Sequence, residues 1–567
     1  MTEGVSPSRL PPQVKIASGG KKDYTIKKRC GVQAAGADAG DETMKRRDFC
    51  KGLAVTLAAG TLAPAAALPQ AGAATALVGR AVPDDYYTLW YRSDRCGADL
   101  RHDYYYSDSL FDHPATEYDN QLALTTLGMA AAADCPWESD QRYWMEGEVG
   151  RADHIRDAFA KLGFTEVQLF NYTHSLNDTP DTVGCAVARK TLVRGGRQVT
   201  IIGAFLRGSG YGAEWSGNLH AGPGSAHVGF VTATRQLVEK IRAYIQTSAK
   251  RQPLGTLKLW MGGYSRGGGV ANLVAARLPA VLPQLEKKNT YVYTFAAPAS
   301  LTAADCPDLQ QDFDNNHAAD GSLKKNWGTS NIFNIVSSGD VIPRILPAEW
   351  GFYRNGNDRF LPSTVIPEEL QALNDRSTRM EGTPIDFGRL AVTEEADAVL
   401  RSMMDLFCDR QTYYKGYEDA MRCMLQCATT RTEEEVTRGI VRDDAAVVAQ
   451  LRSMELMQRF PQEKLERCVQ AASALSRPVL EKLGSAVPLQ AQQIVIPMLA
   501  VGLCFELQPE TVQLVADFVL STITVEGQLS GILKTVLCHF QENYITVLEA
   551  YDPADHGMTP YTRREEL

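Results

Sequence analysis

At 567 residues the chain is long enough for two or more domains, or for one large core carrying an insertion. Its hydrophobic share of 44% and charged share of 22% are those of a globular protein, and a net charge of −9 without a basic stripe argues against a nucleic-acid binder. Twelve cysteines in this length are too few for a disulfide scaffold, and Cys423 and Cys427 have no Cys or His near enough in sequence to complete a metal quartet, so they read as core thiols or as disulfide partners of distant residues.

Residues 1–43 are rich in Gly, Lys, Asp and Ser without periodicity and read as a disordered extension. Residues 44–76 begin Met44-Lys45-Arg46-Arg47-Asp48-Phe49 and continue from Leu53 to Leu68 without a charge. This resembles a twin-arginine export signal, with Ala71-Gly72-Ala73 or Ala74-Thr75-Ala76 as cleavage sites and Met44 as an alternative start. Pro64 and Pro69 make the same stretch a poor permanent membrane span. The expected destination is the periplasm, the cell envelope or the outside of the cell.

From Asp84 to Tyr118 the chain is dense in Tyr and Asp and reads as a lead-in packed outside a sheet. Helices are expected from Tyr118 through Ala133 and over 152–162, the second ended by Gly163. Strands are expected over 165–172, 182–189 and 198–206, then an amphipathic helix over 227–247 with Val231, Leu237, Ile241 and Ile245 on its apolar face. Leu257 to Met261 reads as a buried strand, and Val270, Ala271, Leu273, Val274 and Ala275 follow at helical spacing. Two more strands are expected, Thr290 to Phe295 and Asn331 to Val336. Strands separated by helices imply a mostly parallel sheet covered on both faces.

From 361 to 529 the pattern turns helical. Leu400, Met403, Met404 and Phe407 form one stripe, Val447, Val448, Leu451 and Met454 another, and Thr511 to Leu520 a third. Ile494 to Phe505 is apolar but short and interrupted by Pro497, which marks it as core and not a membrane span. The organisation expected is a core over 84–360, a helical insertion over 361–529 and a return to the core over 530–567.

Between the strand ending at Met261 and the helix after it stand Gly262-Gly263-Tyr264-Ser265-Arg266-Gly267. Ser265 therefore lies in G-x-S-x-G at a strand-to-helix turn, the nucleophile elbow of the α/β-hydrolases. Four further segments extend the match. Phe205-Leu206-Arg207-Gly208-Ser209 with Trp215 resembles the F-R-G-[ST]…W segment of the class 3 lipases, α/β-hydrolases that cleave lipid esters. Thr294-Phe295-Ala296-Ala297-Pro298 resembles their T-F-G-x-P strand end, and Asn331 through Pro343 resembles the strand that ends in the triad acid. His227-Val228-Gly229-Phe230 is similar to their H-x-G-F helix start. The chain departs from the family in carrying Tyr264 where a His is usual, and Arg266 where a Leu or Lys-like residue is usual.

The resemblance implies Ser265 as nucleophile, Asp340 as acid, and an oxyanion hole made by the backbone N–H of Arg266 and the hydroxyl of Ser209. The order Ser…Asp…His leaves only His539 and His556 beyond the insertion. His539 heads H-F-Q-E-N-Y-I-T-V-L, which resembles the family's H-x-x-E-x-Y-x-x-x-L ending, whereas His556 precedes a charged tail and lacks a rigid mount. An insertion between acid and base would overhang the site as a cap. The expected protein is an exported serine esterase or lipase that needs neither cofactor nor metal. Its substrate is an ester or lipid, with transient contact with a lipid interface. A peptidase or acyltransferase on the same fold, and a non-catalytic envelope protein, are the competing readings.

Overall fold

The computed structural model describes residues 81–93, 95, 98–134, 147–148, 152–174, 181–209, 212–223, 227–302, 328–346, 350–363, 367–379, 385–407, 409–430, 441–483, 489–513, 531–551 and 553–555. The expected disordered extension, export signal, His556 and residues 514–520 lie outside the described residues.

The tyrosine-rich lead-in is an antiparallel hairpin, β1 (Asp85–Arg92) and β2 (Asp99–Tyr106). Alternation in β2 buries Leu100, His102, Tyr104 and Tyr106, and Tyr106 stacks on Trp260 of the main sheet at 6.0 Å. Helix α1 (Asn120–Ala133) starts at Asp119, whose carboxylate accepts from the Leu122 N–H at 2.6 Å. It is wedged between hairpin and sheet, so every residue from Leu122 to Ala133 is buried and no polar face is needed. Helix α2 (Ala152–Lys161) follows and ends at Gly163, whose φ is +77°.

The main sheet is built from β3 (Thr165–Phe170), β4 (Cys185–Arg194), β5 (Arg197–Leu206), β6 (Thr256–Tyr264), β7 (Thr290–Phe295), β8 (Ile332–Ser337), β9 (Asn357–Leu361) and β10 (Ala554–Asp555). Their order is β10-β9-β8-β7-β6-β5-β4-β3. Strands β5 through β9 run parallel, as expected. Antiparallel strands close both edges. The hairpin of β4 and β5 turns at Gly195-Gly196, with φ of +54° and +74°, the two positive values a two-residue hairpin requires. The expected strand over 182–189 therefore starts later and runs to Arg194. Strand β9 was not expected, because N-D-R-F-L carries no β pattern. Its place is set by polar partners, among them the bond from Asn334 Nδ2 to Asp358 Oδ1 at 2.9 Å.

Alternate residues of the central strands face opposite cores. Ile202, Leu259, Met261 and Val292 meet helices α4 (Val228–Arg251) and α5 (Arg266–Val281). Ile201, Trp260, Tyr293 and Phe333 meet α1, α2 and, later in the chain, α13 (Gln541–Ala550). Both faces are covered, as a parallel sheet demands.

Beyond β9 every regular element described up to residue 513 is helical. The longer ones are α6 (Pro367–Arg379), α7 (Thr393–Phe407), α8 (Glu418–Thr429), α9 (Asp444–Ser453), α10 (Gln462–Leu483) and α11 (Leu489–Cys504); α12 (Gly531–Leu537) then leads back to the core and into α13. The segment divides in its packing. Leu373 of α6 joins the α13 side of the main core, with Ile385 and Phe387, and α7 packs on α12. Helices α8 to α11 form a lobe around Met421, Met424, Leu451, Val469 and Val501. That lobe core also takes in Ala221, Trp350 and Phe352 of the α/β part, so it is continuous with it. Cys423 and Cys427 are buried free thiols within it. Among the described residues no helix is long and apolar enough to cross a membrane.

Candidate active site

Strand β6 ends in a turn whose geometry dictates its residues. Ser265 has φ 52° and ψ −125°, a strained conformation for a side-chain-bearing residue. A Cβ on Gly263 would lie 2.5 Å from the Gly267 carbonyl oxygen, and one on Gly267 would lie 2.4 Å from the carbonyl of Arg207. Only glycine fits on either side, which brings α5 against the end of β5. Ser265 starts α5, so the Arg266 N–H is one of the helix's first donors, which have no partner within the helix.

The Asp340 carboxylate follows β8 and is fully buried. Its Oδ1 accepts from the Ile342 N–H at 2.9 Å. His539 stands between α12 and α13, after a helix and not directly after a strand. Its Nδ1 lies 2.8 Å from Asp340 Oδ2, and its Nε2 lies 2.9 Å from Ser265 Oγ. Three side chains up to 274 residues apart in sequence thus form one hydrogen-bonded run.

Two tyrosines brace this run, and sequence reading had given them no such part. Tyr544, the tyrosine of the H-x-x-E-x-Y run, donates its hydroxyl to Asp340 Oδ2 at 2.8 Å and accepts from the Ser337 N–H at 3.0 Å. Burial, with the Asp340 charge, holds its pKa well above that of a free tyrosine, so it stays a donor. Its spacing five residues after His539 was the available signal. Tyr264, the residue that departs from the family pattern, donates its hydroxyl to the His539 carbonyl oxygen. Its ring stands 5.6 Å from the imidazole.

Ser209 lies on the loop after β5. This loop is fixed by the buried pair Arg207–Glu214, with contacts of 2.6 and 2.9 Å. Ser209 Oγ accepts from Asn218 Nδ2 at 2.7 Å, so its own proton is free to be donated elsewhere. Asn218 is in turn held by Arg266, whose Nη1 donates to Asn218 Oδ1 at 2.9 Å. The Arg266 side chain also donates to the carbonyls of Thr182 and Gly229. Sequence reading had used only the Arg266 backbone. His227 supports the Asn218 carbonyl through Nε2 at 2.9 Å, and burial lowers its pKa to about 3, so it is neutral.

One carboxylate joins the two sides of the site. Asp134, at the end of α1, accepts from the Gly208 N–H at 2.8 Å and from Gln541 Nε2 at 2.6 Å. No sequence pattern marks Asp134 or Asn218, since each is defined only by residues distant in the chain. Among the described residues no group of His, Cys, Asp and Glu is arranged to hold a metal ion.

The fold is that of the α/β-hydrolases, with a serine on the strand-to-helix elbow and a histidine and a carboxylate within hydrogen-bond reach. Residues 208–350 match the family model described as lipase (class 3). That stretch contains Ser209, Ser265, Arg266 and Asp340, while His539 lies beyond it. Over this stretch the chain is similar to the class 3 lipases.

Among solved structures the chain is similar to the Rhizomucor miehei lipase–propeptide complex, at 20% identity over 43% of this chain and 68% of that one, TM-score 0.28. It is also similar to the lipase of Rhizopus microsporus var. chinensis, at 18% identity over 43% and 75%, TM-score 0.28. The Lip2 lipase of Yarrowia lipolytica gives 16% identity over 43% and 78%, TM-score 0.27. No curated protein matches the sequence.

Proposed function

We propose that the protein hydrolyses carboxylic esters of lipid type through a Ser265–His539–Asp340 triad and an acyl-enzyme. The observation that carries this reading is the unbroken run from Ser265 Oγ through His539 to Asp340, at 2.9 and 2.8 Å. Serine is a poor nucleophile until a base takes its proton. His539 Nε2 accepts that proton as Oγ attacks the ester carbonyl. Asp340 and Tyr544 hold the imidazolium that forms. The carbonyl oxygen becomes an oxyanion facing the Arg266 N–H and the Ser209 hydroxyl. His539 then protonates the leaving alkoxide, and the alcohol departs. Water, deprotonated by the same nitrogen, releases the acid and restores Ser265.

The test is labelling with a fluorophosphonate, which traps an activated serine. The wild-type protein is expected to label at Ser265, and Ser265→Ala is expected to lose labelling with an unchanged circular dichroism spectrum. Labelling of Ser265→Ala at another serine would overturn the assignment. A series of p-nitrophenyl esters from acetyl to palmitoyl, beside amide analogues, then separates a lipase or esterase from a peptidase.

The helical segment, inserted between acid and base, acts in this reading as a cap that limits access of long acyl chains. The Arg46-Arg47 pair and the uncharged run after it support export by the twin-arginine route. Replacing both arginines by lysine is expected to leave the protein inside the cell.

A further inference from the structure

We infer that the helical lobe is a positioning element of the oxyanion hole, acting through Arg410, Tyr413 and Glu418 on the backbone of residues 219–222. This rests on the triad reading above and assigns a role to residues far from the reacting atoms.

The lobe reaches the core at the chain that leaves the oxyanion loop. After Ser209 the chain forms the short helix α3 (Gly212–Gly217), then Asn218, then the turn 219–222 before α4. Helix α8 of the lobe packs against α3. Three polar groups beside or at the start of α8 grip the turn. Glu418 Oε2 accepts from the Gly222 N–H at 2.8 Å. Arg410 donates to the Gly222 carbonyl through Nη2 at 2.7 Å and Nε at 3.1 Å, with its guanidinium 4.6 Å from the Phe352 ring centroid. The Tyr413 hydroxyl donates to the Leu219 carbonyl at 2.9 Å.

All three side chains are buried, so these bonds are shielded from competing water and are strong. The turn cannot relax readily. Gly222 has φ +64°, and a Cβ there would meet Val228 Cγ2 at 2.2 Å. Asn218, one residue before Leu219, is the group that donates to Ser209 Oγ. Arg266 and His227 hold Asn218 from the core side, while the lobe holds the turn that follows it. A shift of the turn moves Asn218, and with it the direction in which the Ser209 proton points. Misplacing a catalytic donor by about 1 Å can cost on the order of a hundredfold in rate. Neither Arg410 nor Tyr413 nor Glu418 touches the reacting atoms. They act through Asn218 and are positioning residues.

The experiment uses the full-length protein and a p-nitrophenyl ester. Glu418→Ala is expected to lower kcat about tenfold or more with a smaller change in KM. Glu418→Gln, whose amide oxygen still accepts from Gly222, is expected to recover most of that loss. Tyr413→Phe, which removes one oxygen and leaves the ring, gives a second, gentler lesion should Glu418→Ala not fold. The decisive arm repeats each variant in a Ser209→Ala background. If the lobe works through Ser209, its variants lose little further activity there, because residues acting as a unit are not additive. Equal losses in both backgrounds, or wild-type kcat for Tyr413→Phe and Glu418→Ala, overturn the inference. Fluorophosphonate labelling of the wild type separates the two failures. An unlabelled wild type overturns the triad reading and this inference with it, whereas a labelled wild type with indifferent lobe variants overturns this inference alone.

Discussion

The α/β part and the helical lobe hold themselves together in different ways. Around the candidate site the α/β part is specified by short, directional contacts. Asp340 has three donors, the Gly263 and Gly267 positions exclude any side chain, and Asp134 ties the loop after β5 to the start of α13 with two bonds. The lobe interior is mainly apolar, built on Met421, Met424, Met457, Leu451 and Val469, and methionine adapts to its surroundings. Where the lobe meets the core, directional contacts return, at Arg410, Tyr413 and Glu418. Polar precision is concentrated where geometry matters to chemistry, and apolar packing serves where only stability is needed.

Substitutions in the two regions are expected to divide accordingly. His539→Ala should have the largest effect, a loss of kcat on the order of 10⁴- to 10⁶-fold. Its combination with Ser265→Ala should cost little more than either change alone. Steady-state kinetics on a p-nitrophenyl ester measures both, and a His539→Ala variant retaining most activity would move the base elsewhere, with His556 next to be tested. Leu451→Ala in the lobe should do the opposite. It should lower stability by about 2–5 kcal/mol, seen as a lower Tm, while kcat below the melting transition stays close to wild type. A collapse of kcat without a change in Tm would erase the contrast between the regions.

A smaller catalytic effect is expected at Tyr544→Phe. It removes one donor from the Asp340 carboxylate, a charged hydrogen bond worth about 1.5–3 kcal/mol, so kcat should fall roughly tenfold to a hundredfold. The smallest effect expected is on pH dependence. Burial pushes the pKa of Glu542 up, and Ser93 and Arg95 offset only part of this. A carboxyl raised in the folded state keeps its proton while the unfolded chain has already lost its own. Its contribution is therefore most favourable below the ordinary carboxylate range and is lost as pH rises through the raised value. Glu542→Gln should accordingly raise Tm at pH 8 and change it little at pH 4. Thermal melts at the two pH values check this, and an equal shift at both would point to packing instead of charge.

Much of the candidate site was legible in the sequence. The elbow at Ser265, the loop at Ser209 and the H-x-x-E-x-Y run at His539 are local patterns, and each records a backbone constraint within a few residues. Strand and helix order was legible for the same reason, because period-2 and helical repeats follow from burial of one face. The Gly195-Gly196 turn is likewise a local signal, because glycine's freedom at positive φ is a local property. Strand β9 was not legible, since N-D-R-F-L is polar and gains its place from Asn334 and Asp358 once the sheet exists.

By itself, then, the sequence determined the fold class and marked the strand-to-helix turn at Ser265, both of which rest on short-range sterics and periodicity. Only the tertiary structure brought Asp340 and Tyr544 to His539, linked Gly208 to Gln541 through Asp134, and set Arg410, Tyr413 and Glu418 on the turn beside Asn218. Those contacts join residues as far as 407 positions apart. Their energy depends on burial and distance in space, and neither is encoded by spacing along the chain.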